Sequence, residues 1–261
     1  MNTEKDLILA VDIGNTNIVI CGLRGEKTEF SVRLASDRTR TADQYAIEIK
    51  GILDLHHVDT DEIAGGILSS VVPYLQRVIP QAVKLVTGID LIIVRHDMNT
   101  GLKLLVDDPS TVGCDLIIAA VAAKAKYPTP MAIFDMGTAT TLTVLSGEGD
   151  CIGIMIIPGV KTALNALSAG AAQLPYIDLA APAKLMATNT DDCLRAGSVI
   201  GSAAMLDGLM DRLDKEFGKP VTAVLTGGIG GLIAPYCTHD FHLEPDILID
   251  GLRILYDMNK E

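Results

Sequence analysis

The sequence predicts an α/β protein assembled from two copies of one domain. Two near-identical stretches carry that expectation: Leu9-Ala10-Val11-Asp12-Ile13-Gly14-Asn15-Thr16-Asn17 and Ala132-Ile133-Phe134-Asp135-Met136-Gly137-Thr138-Ala139-Thr140. Each reads as an apolar strand, an aspartate, one apolar residue, a glycine, and then Thr and Asn, the pattern of a strand turning tightly into a hairpin. The copies lie close to half a chain apart, and the order of strand-like and helix-like segments around them repeats, which marks a duplication. A chain of 261 residues holds two domains of about 120–140 residues, each with its own core. The expected division is residues 1–115 and 116–261, with Asp12 and Asp135 pointing into a cleft between the copies.

Taken in order, the first half opens with short strands at Leu7–Asp12, Ile18–Leu23 and Glu29–Leu34, the last two joined by an Arg24-Gly25 turn. Apolar residues at helical spacing (Tyr45, Ile49, Ile52, Leu53) predict a helix capped by Thr41. Ile67-Leu68 reads as a strand running into Ser69-Ser70-Val71-Val72-Pro73, a loop that starts the next helix, and Leu91–Val94 as another short strand. Leu116–Lys126 is an almost wholly apolar, Ala-rich helix, which must be buried between domains or in a dimer interface. In the second half, strands are expected at Met131–Asp135, Leu142–Leu145 and Cys151–Ile157, one long helix or two over 191–217, and a strand at Val221–Leu225 that ends in Thr226-Gly227-Gly228.

Composition narrows the function. Hydrophobic residues make up 49% of the chain, which indicates a folded protein, and no apolar run reaches the roughly 18 residues of a membrane span. The polar start at Met1 to Asp6 predicts no signal peptide and a cytoplasmic protein. A net charge of −12 argues against a nucleic-acid partner, which asks for a basic face. Five scattered cysteines without a C-x-x-C pair suit reduced thiols.

Asp12 beside Gly14-Asn15-Thr16-Asn17 could hold a hydrated Mg²⁺ while the turn grips phosphate oxygens, or could belong to a plain hairpin whose Asn and Thr cap the turn. The second copy at Asp135 favours the ligand site, since two buried acids are costly without something to share. The glycines of Thr226-Gly227-Gly228 would let a nucleotide base or ribose lie against the backbone, or would simply start a helix. Asp115, just before the buried helix, reads either as its N-cap or as a general base; the two roles are compatible. Other motifs point to little chemistry. Cys237-x-His239-x-x-His242 lacks a fourth zinc ligand and reads as an irregular surface loop, and His56, His57 and His96 read as exposed loop residues. Gly228-x-Gly230 lacks the later glycine and acid of a dinucleotide fingerprint, and Ser198 lacks the frame of a nucleophile elbow.

Two Asp-Gly-Thr hairpins followed by Thr-Gly-Gly resemble the two phosphate motifs and the adenosine motif of the superfamily that holds acetate kinase, the sugar kinases, heat-shock chaperones and actin. Within it the chain most resembles the type III pantothenate kinases, over nearly its whole length. The ordered matches are Asp12–Asn17, Arg40-Thr41-Ala42-Asp43-Gln44-Tyr45, Ser69–Pro73, Gly113-Cys114-Asp115, Asp135–Thr141, Pro158-Gly159, Leu174-Pro175, Asn189-Thr190, Thr226-Gly227-Gly228 and Gly251-Leu252-Arg253. The resemblance implies two ribonuclease H-like domains, each a mixed five-stranded sheet with flanking helices, facing across a nucleotide cleft. It implies a homodimer that phosphorylates pantothenate with ATP to give 4'-phosphopantothenate, the first step towards coenzyme A, with no membrane partner.

In residues, the resemblance implies that Asp12, Gly14, Asn15, Thr16, Asn17, Thr138, Gly227 and Gly228 bind ATP, with Asp12 reaching Mg²⁺ through the nucleotide. It implies that Asp135 binds a monovalent cation, K⁺ or NH₄⁺, that Asp115 is the base, and that Gly113, Asp115 and Thr190 meet pantothenate. The chain departs from the family pattern on the acceptor side: Leu116 stands where an Arg is expected, Val106 where a Tyr is expected in the preceding strand, Gly170-Ala171-Ala172 replaces Arg-Thr-Ala, and Ile154 replaces a Gly. Losing a buried Arg that pairs with substrate costs about 2–5 kcal/mol. The alternatives are therefore a paralogue with an intact ATP site that phosphorylates another small hydroxyl compound, or a non-catalytic nucleotide-binding subunit.

Overall fold

The computed structural model describes residues 5–260, and the chain forms two compact units. The first takes in the chain up to Gly101, Asp108–Ala122 and the segment from Ile247 onward; the second takes in Leu102–Asp107 and Ala123–Asp246.

The first unit contains β1 (Leu7–Ile13), β2 (Asn17–Arg24), β3 (Lys27–Ala35), α1 (Ala42–Leu55), β4 (Ile63–Ser70), α2 (Leu75–Thr87) and β5 (Ile92–Ile93). Helix α3 (Cys114–Lys126) carries the chain from one unit into the next. The second unit holds β6 (Met131–Met136), β7 (Ala139–Leu145), β8 (Cys151–Pro158), α4 (Val160–Gly170), α5 (Thr190–Phe217), β9 (Thr222–Thr226), α6 (Gly230–Ile233) and β10 (Phe241–Leu243), and α7 (Ile247–Asn259) returns to the first.

The two sheets run β3-β2-β1-β4-β5 and β10-β9-β6-β7-β8. In both, an antiparallel three-strand meander continues into two parallel strands. Mapping β1 onto β6, β2 onto β7 and β4 onto β9 superimposes the two topologies. Even a register shift recurs, at Gly22/Leu23 between the second and third strands of one sheet and at Val144/Leu145 in the other. The duplication expected from the two hairpins is therefore a duplication of whole mixed sheets.

Each sheet packs one face on helices of its own unit, and the other face of the first sheet meets α7, where Tyr256 lies against Gly65 of β4. In the first unit Leu9, Val11, Ile13, Ile18 and Ile20 meet Tyr45, Ile49 and Leu53 of α1 and Ile79 and Val83 of α2. The predicted start of α1 is a full capping box: Thr41 Oγ1 accepts from Gln44 N, and Gln44 Oε1 accepts from Thr41 N at 2.9 Å. In the second unit Phe134, Met136, Leu142 and Val144 pack on Val199, Ala203, Leu206 and Met210 of α5. Burying one such side chain contributes about 1.5–3 kcal/mol, so these stripes fix which sheet face α1, α2 and α5 cover.

Helix α3 is buried within the single chain: Ile118, Ala120, Ala122 and Ala123 are inaccessible. No dimer partner is needed to cover it. The Ile118 carbonyl lies against Gly251 of α7 so closely that a Cβ there would overlap it.

The expected surface loop over Cys237–His242 is corrected: it ends in a strand, β10, paired in parallel with β9. Three residues are too few to show alternation, and the pairing edge of β9 organises them. The strand expected around Val106 is absent as well; Leu104 alone bridges to Cys151, and Val106 lies in a bend.

Candidate active site

The first hairpin joins β1 to β2. Asp12 is half-buried and stands in register with Val19 on β2 and Ser69 on β4. The turn closes with Gly14 N donating to Asn17 O at 2.9 Å, and it leaves Asn15, Thr16 and Asn17 exposed. It is tied back from behind: Ser36 N donates to Thr16 O at 3.0 Å, and Ser36 Oγ donates to Gly14 O at 2.6 Å. Arg38 reaches Asn15 Oδ1 at 3.3 Å. With those carbonyls occupied, the outer rim offers exposed amide and hydroxyl groups, a setting suited to phosphate oxygens.

In the second hairpin Asp135 is in register with Thr141 on β7 and Thr226 on β9. Here Gly137 N donates to Ala139 O at 2.9 Å, so the turn is one residue tighter than the first. Two glycines let other segments close on it. A Cβ on Gly159 would overlap the carbonyls of Gly137 and Thr138, and Thr162 Oγ1 donates to Thr138 O at 2.8 Å. Gly227 has φ +88°, and a Cβ there would sit 2.5 Å from Asp135 Oδ1 and from Met136 N. Gly228 meets open space and Thr138 is exposed.

Asp115 lies in the first turn of α3. The Gly113 carbonyl accepts from Leu116 N at 3.1 Å and from Ile117 N at 3.3 Å, so Gly113 opens the helix and Asp115 is not its cap. The Asp115 carboxylate instead accepts from Leu116 N at 3.0 Å and folds over Gly113, where a Cβ would collide with Oδ1. Burial pushes the carboxyl upward from the ordinary aspartate range, with backbone hydrogen bonds opposing in part. A half-buried acid held in this way can take a proton near neutral pH better than a free one. Next to it, burial also raises the Cys114 thiol, which stays protonated and inert. Leu116 is buried, and Thr190 is exposed as the first residue of α5, behind an Asn189 side chain that accepts from Asp192 N.

The sequence pattern of the type III pantothenate kinases matches residues 8–212. The chain belongs to that family. It is 36% identical over 253 residues to a type III pantothenate kinase of Moorella thermoacetica, covering 97% of this chain and all of that one. It is 37% identical over 255 residues to the type III pantothenate kinase of Exiguobacterium sibiricum, with 97% and 100% coverage. Among solved structures, component A of (R)-2-hydroxyglutaryl-CoA dehydratase from Acidaminococcus fermentans shares the fold at a TM-score of 0.56 and 15% identity, over 96% of both chains. The activator of 2-hydroxyisocaproyl-CoA dehydratase from Clostridium difficile, solved with bound ADPNP, shares it at 0.51 and 12% identity, over 97% of this chain and 95% of that one. Kinship with the type III pantothenate kinases makes this an enzyme of the phosphotransferase class.

The remaining sequence candidates are structural in this kinase. Asp207 on α5 accepts from Thr238 N at 2.8 Å and His239 N at 3.0 Å, and His239 Nε2 pairs with Asp211 at 2.9 Å, fastening the approach to β10. His242 stacks on Tyr127 at 4.2 Å. Among the described residues no three His, Cys, Asp or Glu side chains form a metal cage. Mg²⁺ is ordinarily held by one or two carboxylates, waters and substrate phosphates, so Asp12 beside an exposed polar turn fits the ion. Among the same residues no helix is long and apolar enough to cross a membrane. Sequence reasoning missed an apolar groove of about 350 Å³ between α4 and α5, lined by Val160, Leu164, Leu167, Leu194 and Met205. The helical spacing of Val160, Leu164 and Leu167 was the signal that could have found it.

Proposed function

We propose that the chain phosphorylates pantothenate with ATP, giving 4'-phosphopantothenate and ADP. The observation that carries the reading is the pair of aspartate hairpins at matching places in two like-built sheets, in a chain that belongs to the type III pantothenate kinase family. Asp12 with Gly14, Asn15, Thr16 and Asn17 receives the ATP phosphates, and Thr138, Gly227 and Gly228 supply further ATP contacts. Mg²⁺ bound with the nucleotide would neutralise charge building on the phosphoryl oxygens. Gly113, Asp115 and Thr190 meet pantothenate. Asp115 accepts the proton of the pantothenate hydroxyl as its oxygen bonds to the γ-phosphorus; the bond from that phosphorus to the bridging oxygen breaks, and ADP leaves with the electron pair. The raised affinity of Asp115 for a proton supports this role.

Asp135 would hold K⁺ or NH₄⁺, its oxygen-rich surroundings being the neighbours Thr141 and Thr226. The protein would act as a cytoplasmic homodimer with no nucleic-acid or membrane partner. The edge strand β8 supports self-association, exposing Ile152, Met155 and Ile156, the last 74% accessible, with Leu167 of α4 also exposed. An open apolar sheet edge of that kind is ordinarily covered.

A second reading, a different hydroxyl acceptor, is favoured by Leu116, an apolar side chain in the turn that carries the base. The deciding assay is ATP-dependent phosphorylation of pantothenate with Mg²⁺, in K⁺ and in Na⁺, for the unsubstituted protein and Asp115→Asn. Product formed only with K⁺, and lost in Asp115→Asn while ATP still binds, is expected. ATP binding without product would favour the second reading, and loss of ATP affinity in Asp115→Asn would make Asp115 structural.

A further inference from the structure

Among the described residues Ser69 is wholly inaccessible, and its hydroxyl has no hydrogen-bond partner. Leaving a buried hydroxyl unpaired costs about 1–3 kcal/mol, so a position that keeps one calls for an explanation. Its place in the sheet supplies one. Ser69 is the register partner of Asp12 across the parallel β1–β4 pair, where strands run about 4.8 Å apart and opposed side chains share a face. That face is opposite the one that carries Val11, Ile13 and Leu68 into the apolar core. The next residue has already spent its hydroxyl: Ser70 Oγ accepts from Val72 N at 3.0 Å and donates to Val72 O at 3.1 Å. Ser69 is thus the hydroxyl of this strand end that remains to be paired.

The second unit repeats the placement of a hydroxyl residue, though not its lack of a partner. There β9 takes the place of β4, and the register partner of Asp135 on it is Thr226, again a buried hydroxyl residue. A hydroxyl opposite the hairpin aspartate at the same node of both sheets is a feature the duplication has kept or regained.

We infer that Ser69 is a positioning residue of the Asp12 site, its hydroxyl donating to a water in the shell of a divalent cation that Asp12 holds. The inference rests on the reading of Asp12 as the Mg²⁺–phosphate residue. One carboxylate leaves most of an octahedral shell to waters, and each water needs a partner to be fixed in place. A hydroxyl on the neighbouring strand, buried and unengaged, is such a partner.

The test is ATP binding by calorimetry to the full chain, with Mg²⁺ and with the metal chelated, in Ser69→Ala, Ser69→Thr and Asp12→Asn, with Tm measured for each without nucleotide. Ser69→Ala should unfold at or above the unsubstituted Tm, because an unpaired buried hydroxyl is removed. It should lose about ten-fold of its affinity for Mg²⁺–ATP and none for chelated ATP. Ser69→Thr, which retains the hydroxyl and copies the residue of β9, should stay within about three-fold of the unsubstituted protein. A Ser69→Ala protein with full Mg²⁺–ATP affinity, or one weakened equally with and without the metal, overturns the inference. If Asp12→Asn loses the Mg²⁺ dependence and Ser69→Ala does not, the inference alone fails. If both keep it, the reading of Asp12 fails as well.

Discussion

The two aspartate hairpins have nearly the same sequence and the same place in their sheets, yet they are built to different standards of rigidity. The first turn is longer, exposes three polar side chains and is restrained from behind by Ser36 and, more loosely, Arg38. The second is one residue shorter and clamped from two sides, by Gly159 at its carbonyls and by Gly227 against Asp135 and Met136. Duplication has preserved the aspartate and the strand order while letting the surroundings diverge. An adaptable polar rim suits a site that must close around a polyphosphate. A clamped carboxylate suits a site whose geometry is set before anything binds.

The largest effect should come from testing that difference directly. Gly227→Ala places a Cβ 2.5 Å from a carboxylate oxygen and a backbone nitrogen, at a φ of +88° that side chains avoid. Its expected cost is about 3 kcal/mol or more in urea unfolding. Gly14→Ala in the first hairpin meets only Asn17 O, at 3.3 Å, and should cost about 1 kcal/mol or less. Equal losses would show that the second hairpin can relax as easily as the first.

A smaller, paired test concerns what ties each turn down. Ser36→Ala removes the 2.6 Å bond to Gly14 O, and Thr162→Ala the 2.8 Å bond to Thr138 O. Each should lower stability by about 1 kcal/mol. Only Ser36→Ala should also raise the Kd for ATP several-fold, because the glycine contacts that hold the second turn survive the loss of one hydroxyl. A comparable change in Thr162→Ala, seen by calorimetry, would argue that the second turn is held by Thr162 and not by close packing.

These distinctions bear on what a sequence discloses. Strands such as β1, β2 and β6 were legible because their apolar runs end near Gly14, Gly25 and Gly137, and α1 because Thr41 caps apolar residues at helical spacing. Helix α7 carries Ile247, Leu252 and Leu255 at core spacing and could have been read, while β10 exists only through its neighbour β9. In the site, the repeat exposed Asp12 and Asp135. Their strand partners Ser69 and Thr226 are set by register, which no local pattern encodes. Thr226-Gly227-Gly228 reads in sequence as one nucleotide-facing motif. In the fold its glycines have separate reasons, since Gly227 is required by the second hairpin and Gly228 faces open space.

Asp115 belongs to neither hairpin, and the smallest predicted effect concerns it. Its carboxyl is pushed up by burial, so the folded protein binds that proton more tightly than the unfolded chain does. For an acid shifted in this direction the stabilising contribution is complete at low pH, where both states are protonated. Stability then falls as pH rises from the ordinary aspartate range through the raised folded value, and levels off above it. Asp115→Asn removes the titrating group while keeping the side chain's size. The variant should therefore melt slightly higher than the unsubstituted protein at pH 7, and the gap should close as the pH is lowered towards 4. A gap that persists unchanged at low pH would mean that the carboxylate's burial carries no charge penalty. The proton acceptor of the transfer would then have to be sought away from Asp115.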